Sequence, residues 1–195
     1  SLWPGLLQAT SYNQKRQQQR IRLFETGLRF VPDAEAPNSI RQEPMLAGVV
    51  AGRRYDEHWD ANDKPVDFFD AKADVEALLA LTGKEKTVTF KTETHSALHP
   101  GMSAAIYLDD KCVGWLGAVH PQFSKQLGTN GRVFVFELEL AALTDRKLPQ
   151  AQPISKYPAN RRDIAITVKQ TVKVGDIIKF VEKIGVNQLV GLNLF

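Results

Sequence analysis

The 195-residue chain is 43% hydrophobic and 24% charged, with a formal net charge of +3, an ordinary globular balance whose length suits one domain plus part of another. No apolar run approaches the roughly 18 residues that a membrane-spanning helix needs, and no charged-then-apolar leader is visible, so a soluble, cytoplasmic chain is expected. Cys112, the single cysteine, sits in an apolar strand pattern as a small hydrophobe and fits a reducing compartment. The charge is uneven: residues 1–150 carry 18 basic against 19 acidic side chains, whereas residues 151–195 carry 7 against 3. The two-proline stretch between these parts reads as a linker over 148–155, giving domains 1–147 and 156–195.

Taken in order, Ser1 and Pro4 predict a serine-capped helix running to about Gln19, its distal half polar on every face. Arg22 to Asp33 reads as a strand, and Met45 to Val50 as a buried one. Asp70 to Leu81 carries Val75, Leu78, Leu79 and Thr82 at helical spacing, with Asp70 as cap and Gly83 as stop. Val88, Phe90 and Thr92 alternate as a half-buried strand. Ala104–Leu108 and Cys112–Val119 flank Asp109-Asp110-Lys111, expected as a three-residue hairpin turn. Arg132 to Leu140 completes the strands of the first part. Strand 162–168, helix 176–184 and strand 188–195 follow in the tail. The expected class is α+β with an antiparallel sheet rather than βαβ repetition; no internal repeat is seen.

Few side chains stand out chemically. His95 and His99 have a spacing that would hold a metal on a helix, but Pro100 puts them in a loop without further ligands, so no metal site is expected. His120 reads as a strand-end residue. No nucleophile elbow is present. Gly114 and Gly117 resemble a phosphate loop only superficially, since no helix is expected after them; they read as strand-packing glycines. Glu137 and Glu139, two apart on an alternating strand, read as sharing its polar face. Lys156, Arg161 and Arg162 flank Tyr157, the combination that single-stranded RNA needs, although a strand-edge charge or an Arg162–Asp163 pair would account for them equally.

Arg22-Leu23-Phe24, Gly27 and Phe30 resemble the second signature motif of class II aminoacyl-tRNA synthetases, whose closing arginine grips the α-phosphate of ATP; Val31 stands there, followed by Pro32. Wider matches lie in Ser1-Leu2-Trp3-Pro4-Gly5-Leu6-Leu7, Leu46-Ala47-Gly48, Val66-Asp67-Phe68-Phe69-Asp70, His99-Pro100-Gly101, His120-Pro121, Phe134-Val135-Phe136-Glu137-Leu138 and Arg161-Arg162-Asp163-Ile164-Ala165. Together they resemble the C-terminal part of the β subunits of bacterial phenylalanyl-tRNA synthetases. The resemblance implies a class II-like sheet with helices, then a truncated ferredoxin-like β-α-β of an anticodon-binding domain.

The resemblance also implies that a partner α subunit performs the ATP-dependent ligation, that ATP and Mg belong to the whole enzyme and not to this chain, and that tRNA(Phe) is met through the full β subunit. This chain would be a non-catalytic copy supporting α2β2 assembly. Its degenerate positions would be Val31, Ala105 (a Ser-Ala-Glu become Ser103-Ala104-Ala105), Glu137 and Glu139 in place of third-motif glycines, and Ala142 in place of its arginine. The two glutamates would repel a triphosphate. The alternatives are a free-standing RNA-binding module built on the basic tail, disfavoured because the first part carries no basic excess, and an active ligase, disfavoured by the missing arginines.

Overall fold

A computed structural model describes all residues except 61–63, 85–86, 147, 149, 152–155 and 186–188. The chain divides into two units, Ser1–Gln150 and Ala151–Phe195. Of the expected linker, residues 149 and 152–155 lie outside the described residues.

The first unit begins with α1 (Trp3–Gln14) and continues through β1 (Arg20–Pro32), β2 (Ile40–Gly52), α2 (Phe68–Ala80), β3 (Val88–Lys91), β4 (Leu98–Leu108), β5 (Lys111–Val119), α3 (Pro121–Leu127), β6 (Val133–Glu139) and α4 (Ala141–Thr144). The strands form one six-stranded sheet in the order β1-β2-β6-β5-β4-β3, and every pairing is antiparallel. Because successive side chains on a strand point to opposite faces, the register sorts them into two layers. On one face Val50, Phe134, Phe136, Leu138, Leu116 and Ile106 pack beneath Ala71, Val75 and Leu79 of α2 and Ala142 of α4. On the other, Ala47, Val49, Val133, Val135 and Leu98 pack beneath Trp3, Leu6 and Leu7 of α1. Covered on both sides, β6 is buried from Val133 to Leu138, which leaves it without the polar face that its Glu137/Glu139 alternation predicted.

Local chemistry fixes the boundaries. Helix α1 stops at Gln14 rather than near Gln19, because the polar run beyond it has no face to bury and Gln17 turns to φ 63°. Leu2 holds the N-cap position, and Ser1 Oγ accepts the Trp3 N–H at 3.2 Å. Helix α2 starts at Phe68 with Asp67 as its cap, and the Asp70 expected there instead closes a reciprocal capping box, accepting the Asp67 N–H at 2.9 Å. The β4–β5 turn has two residues, not three, since Lys111 already pairs with Leu108. Asp109 and Asp110 both take positive φ (49° and 68°), as a tight primed turn requires.

Contrary to expectation, a short helix, α3, opens after β5; the His120 side chain caps it by accepting the Gln122 N–H at 3.3 Å. Gly114 and Gly117 are close-packing positions: a Cβ on Gly114 would lie 2.1 Å from the Glu137 carbonyl oxygen, and one on Gly117 2.6 Å from that of Met102.

The β1–β2 hairpin outruns the sheet. Its register is unbroken from Arg20–Gly52 to Pro32–Ile40, whereas β6 supports β2 only between Met45 and Ala51. Residues 28–32 and 40–44 therefore project as a two-stranded ribbon.

In the second unit the one element among the described residues is the helix α5 (Val174–Ile184), which ends on the left-handed Gly185. The strands expected over 162–168 and 188–195 are absent from the described part of those segments. Alternation marks a face, but a strand exists only where a neighbour completes its ladder, and among the described residues of Ala151–Phe195 neither segment finds one.

Candidate functional site

The sheet face bearing α1 carries, beyond the end of that helix, the positions named from sequence. Odd-numbered residues of β1 share it with their partners across the register, Arg29 opposite Glu43, Val31 opposite Arg41 and Gly27 opposite Met45, and Ala47 opposite Glu137 extends it into β6. The charged side chains form one continuous chain. Arg41 Nη1 binds Asp33 at 2.7 Å and Arg41 Nη2 binds Glu43 at 2.9 Å. Arg29 holds the other Glu43 oxygen through Nε at 2.8 Å and Nη2 at 2.5 Å. Its remaining nitrogen lies 3.6 Å from Glu137. Glu137 ends the chain by accepting the Leu2 N–H at 2.7 Å, while Trp3 Nε1 donates to the Phe136 carbonyl at 3.0 Å.

The Glu137 side chain is only 6% exposed, a burial a carboxylate tolerates when paired and hydrogen-bonded. Hydrogen bonding from Arg29 leads the causes that hold the Glu43 carboxyl below its usual range, with Arg41 and both positive charges adding to it. Beside this chain, the His95 ring stands between two indoles, with centroids 5.3 Å from Trp3 and 5.0 Å from Trp115. Burial pushes the imidazole below its ordinary value; the nearby Glu137 charge opposes this and Arg29 reinforces it. His95 Nδ1 accepts the Ala97 N–H at 3.1 Å, so the neutral ring has its proton on Nε2.

The structure brings Val31, Ala105, Glu137 and Glu139 to this face and separates Ala142 from them. Ala105 is fully buried, opposite Trp115, which is itself opposite Glu137. Ala142, the second residue of α4, lies in the core on the other side of the sheet. The two glutamates do not share a solvated face either: Glu137 is buried and Glu139 pairs with Lys111 at 2.5 Å. Each carboxylate is faced by a cation of the same chain, Glu137 by Arg29 and Glu139 by Lys111. His99 lies in β4 rather than in a loop, and no group of three or more metal-ligating side chains occurs among the described residues.

A scan of family models matches residues 1–140 to the phenylalanyl tRNA synthetase beta chain CLM domain. The chain belongs to this family. Proteins called phenylalanine–tRNA ligase beta subunit from Yersinia pestis and Sodalis glossinidius are each 57% identical over all 195 residues, and the one from Dickeya dadantii is 54% identical. The chain spans 24% of the length of these relatives. Among solved structures, a pyrrolysyl tRNA synthetase from Desulfitobacterium hafniense superposes with a TM-score of 0.50 at 13% identity, covering 73% of this chain and 46% of that one, a likeness of fold alone.

In this CLM-family chain, sequence reasoning missed Arg29, Arg41, Glu43 and the Trp3–His95–Trp115 stack. The hairpin register would have recovered Arg29 and Glu43, which stand across from each other with opposite signs, and strand alternation would have put Arg41 on the same face as Glu43, two residues on. The stack joins three segments distant in sequence and leaves no local signal. In the second unit Lys156, Arg161 and Arg162 are exposed. Arg161, rather than Arg162, pairs with Asp163, at 3.1 Å, and its guanidinium lies 5.7 Å from the Phe195 ring centroid.

Proposed function

We propose that this chain is the non-catalytic, class II synthetase-like part of a phenylalanine–tRNA ligase β subunit. In this reading residues 1–147 pack on a catalytic α subunit and support α2β2 assembly, residues 148–155 are a linker, and residues 156–195 open an RNA-binding domain. ATP and Mg belong to the whole cytoplasmic enzyme, and tRNA(Phe) is reached through the full β subunit. The observation that carries the reading is the closed charge chain. Along this chain Arg29 and Arg41 are each committed to carboxylates of the same polypeptide, and Leu2 and Trp3 cover its inner end. Val31 offers no donor where a bidentate phosphate ligand is required.

The projecting ribbon supplies the contact surface in this proposal. Its charged face is satisfied internally, while on its opposite face Leu28, Phe30 and Ile40 are 45%, 61% and 47% exposed, an apolar strip of the kind that marks protein interfaces. Two measurements test the proposal. Calorimetry on the chain should find no ATP binding in the micromolar range; such affinity, left unchanged by Glu137→Ala, would overturn the non-catalytic reading. Replacing Leu28 and Phe30 with serine should weaken capture of the α subunit, and undiminished capture would remove the ribbon from the interface.

A further inference from the structure

On the opposite face of the sheet, at the root of the same hairpin, the covering layer is incomplete. Helix α2 packs over β5 and β6 and reaches the sheet beyond them only at Val50 of β2 and Arg22 of β1, leaving Phe24 of β1 exposed beside it. The gap is a groove of about 520 Å³ with Phe24, Leu46 and Val50 in its floor and Ala77, Leu78 and Leu81 of α2 along its wall. Phe24 and Leu81 are 76% and 71% exposed, a large apolar surface for solvent to meet.

At its polar point Arg22 reaches Asp74 through Nη1 at 2.5 Å. Its Nε is the one buried side-chain nitrogen or oxygen among the described residues that has no hydrogen-bond partner. A buried donor is satisfied in nearly all native proteins, and leaving one bare is costly. The wall and floor ask for an apolar stripe, and the orphaned guanidinium nitrogen asks for an acceptor beside that stripe.

We propose that this groove is filled by an amphipathic helix of the same β-subunit polypeptide from outside residues 1–195, whose carboxylate receives the Arg22 Nε–H. This rests on the proposed membership of a full-length β subunit. The relatives are about four times longer than this chain, which covers 24% of them, so ample polypeptide is tethered at high effective concentration. A helix laid beside α2 completes the layer as helices cover a sheet, and the anchor pattern i, i+3/i+4, i+7 matches a groove of this kind.

The test uses the full-length subunit, with and without α. Ala77→Cys places a thiol in the groove wall, and Glu76→Cys places one on the outer side of α2 as reference; alkylation is read peptide by peptide. The expected result is labelling of Ala77→Cys at least about tenfold slower than the reference in the β subunit alone, as a closed site requires. Labelling of Ala77→Cys as fast as the Glu76→Cys reference, both with and without α, would show an open groove and overturn the proposal. Protection appearing only when α is added would assign the occupant to the partner and overturn it as well. In Arg22→Lys, a carbodiimide should form an amide between the new amine and an acidic residue outside 1–195; coupling to Asp74 alone would refute the carboxylate. Capture of α is scored in parallel. Lost protection with intact capture defeats this inference only, and intact protection with no capture of α defeats only the assembly role proposed above.

Discussion

Glu137→Ala is the substitution that best probes the closed site. The carboxylate is 6% exposed, accepts the Leu2 N–H at 2.7 Å and faces Arg29 at 3.6 Å. Truncation strands a part-buried backbone donor, which costs about 1–3 kcal/mol, and removes one of two carboxylates from Arg29. The second loss is small, because Arg29 keeps Glu43 and its own side chain is 30% exposed to screening solvent. A total of about 2–3 kcal/mol is expected, and with a urea slope of about 2–3 kcal/mol per M the unfolding midpoint should fall by about 1 M. Glu137→Gln keeps an oxygen for Leu2 and gives up only the charge, so it should lose about half as much. Urea titrations followed by tryptophan fluorescence suit the purpose, since Trp3 and Trp115 flank the site. An alanine variant within about 0.5 kcal/mol of the parent, the usual range of an innocuous surface change, would mean that Glu137 does not hold the α1 terminus to the sheet.

Gly114→Ala should destabilise the first unit by about 3 kcal/mol, because the new Cβ would lie 2.1 Å from a neighbouring backbone oxygen that cannot swing aside; thermal melts indistinguishable from the parent would contradict that packing. Acid should weaken the fold in two steps. The His95 pKa is lowered on folding, so stability is full above the unfolded histidine value of about 6.5 and declines as pH falls from there through the lowered folded value. Glu43 is lowered too, so its share is present above about 4.3 and is lost below that. His95→Phe should abolish the first step in a pH series of urea midpoints, and a variant that kept it would assign the step to another group. In the intact α2β2 enzyme, replacing Lys156, Arg161 and Arg162 with alanine should flatten the slope of log affinity for tRNA against log salt by up to about 2 units; an unaltered slope would make the cluster structural.

The sequence by itself determined what is local and periodic. The apolar run of Met45–Val50, the helical spacing of Val75, Leu78 and Leu79, and the strand character of Val133–Glu139 each follow from side chains that must find an apolar side, and each recurs in the structure. The valine at 31 is equally plain in the sequence, but that an arginine is wanted there is what the family resemblance implied. Tertiary structure alone decided which of these side chains meet. Alternation said that Glu137 and Glu139 point the same way, but whether that way is water or core depended on α1 arriving over β6 with an unsatisfied Leu2 N–H. Ala142 packs on the opposite side of the sheet from Glu137, and α1 ended early because no surface was left for it to bury. In the second unit, periodicity found α5, whose hydrogen bonds close within the segment. The same periodicity could not produce strands, whose hydrogen bonds must be completed by a neighbour.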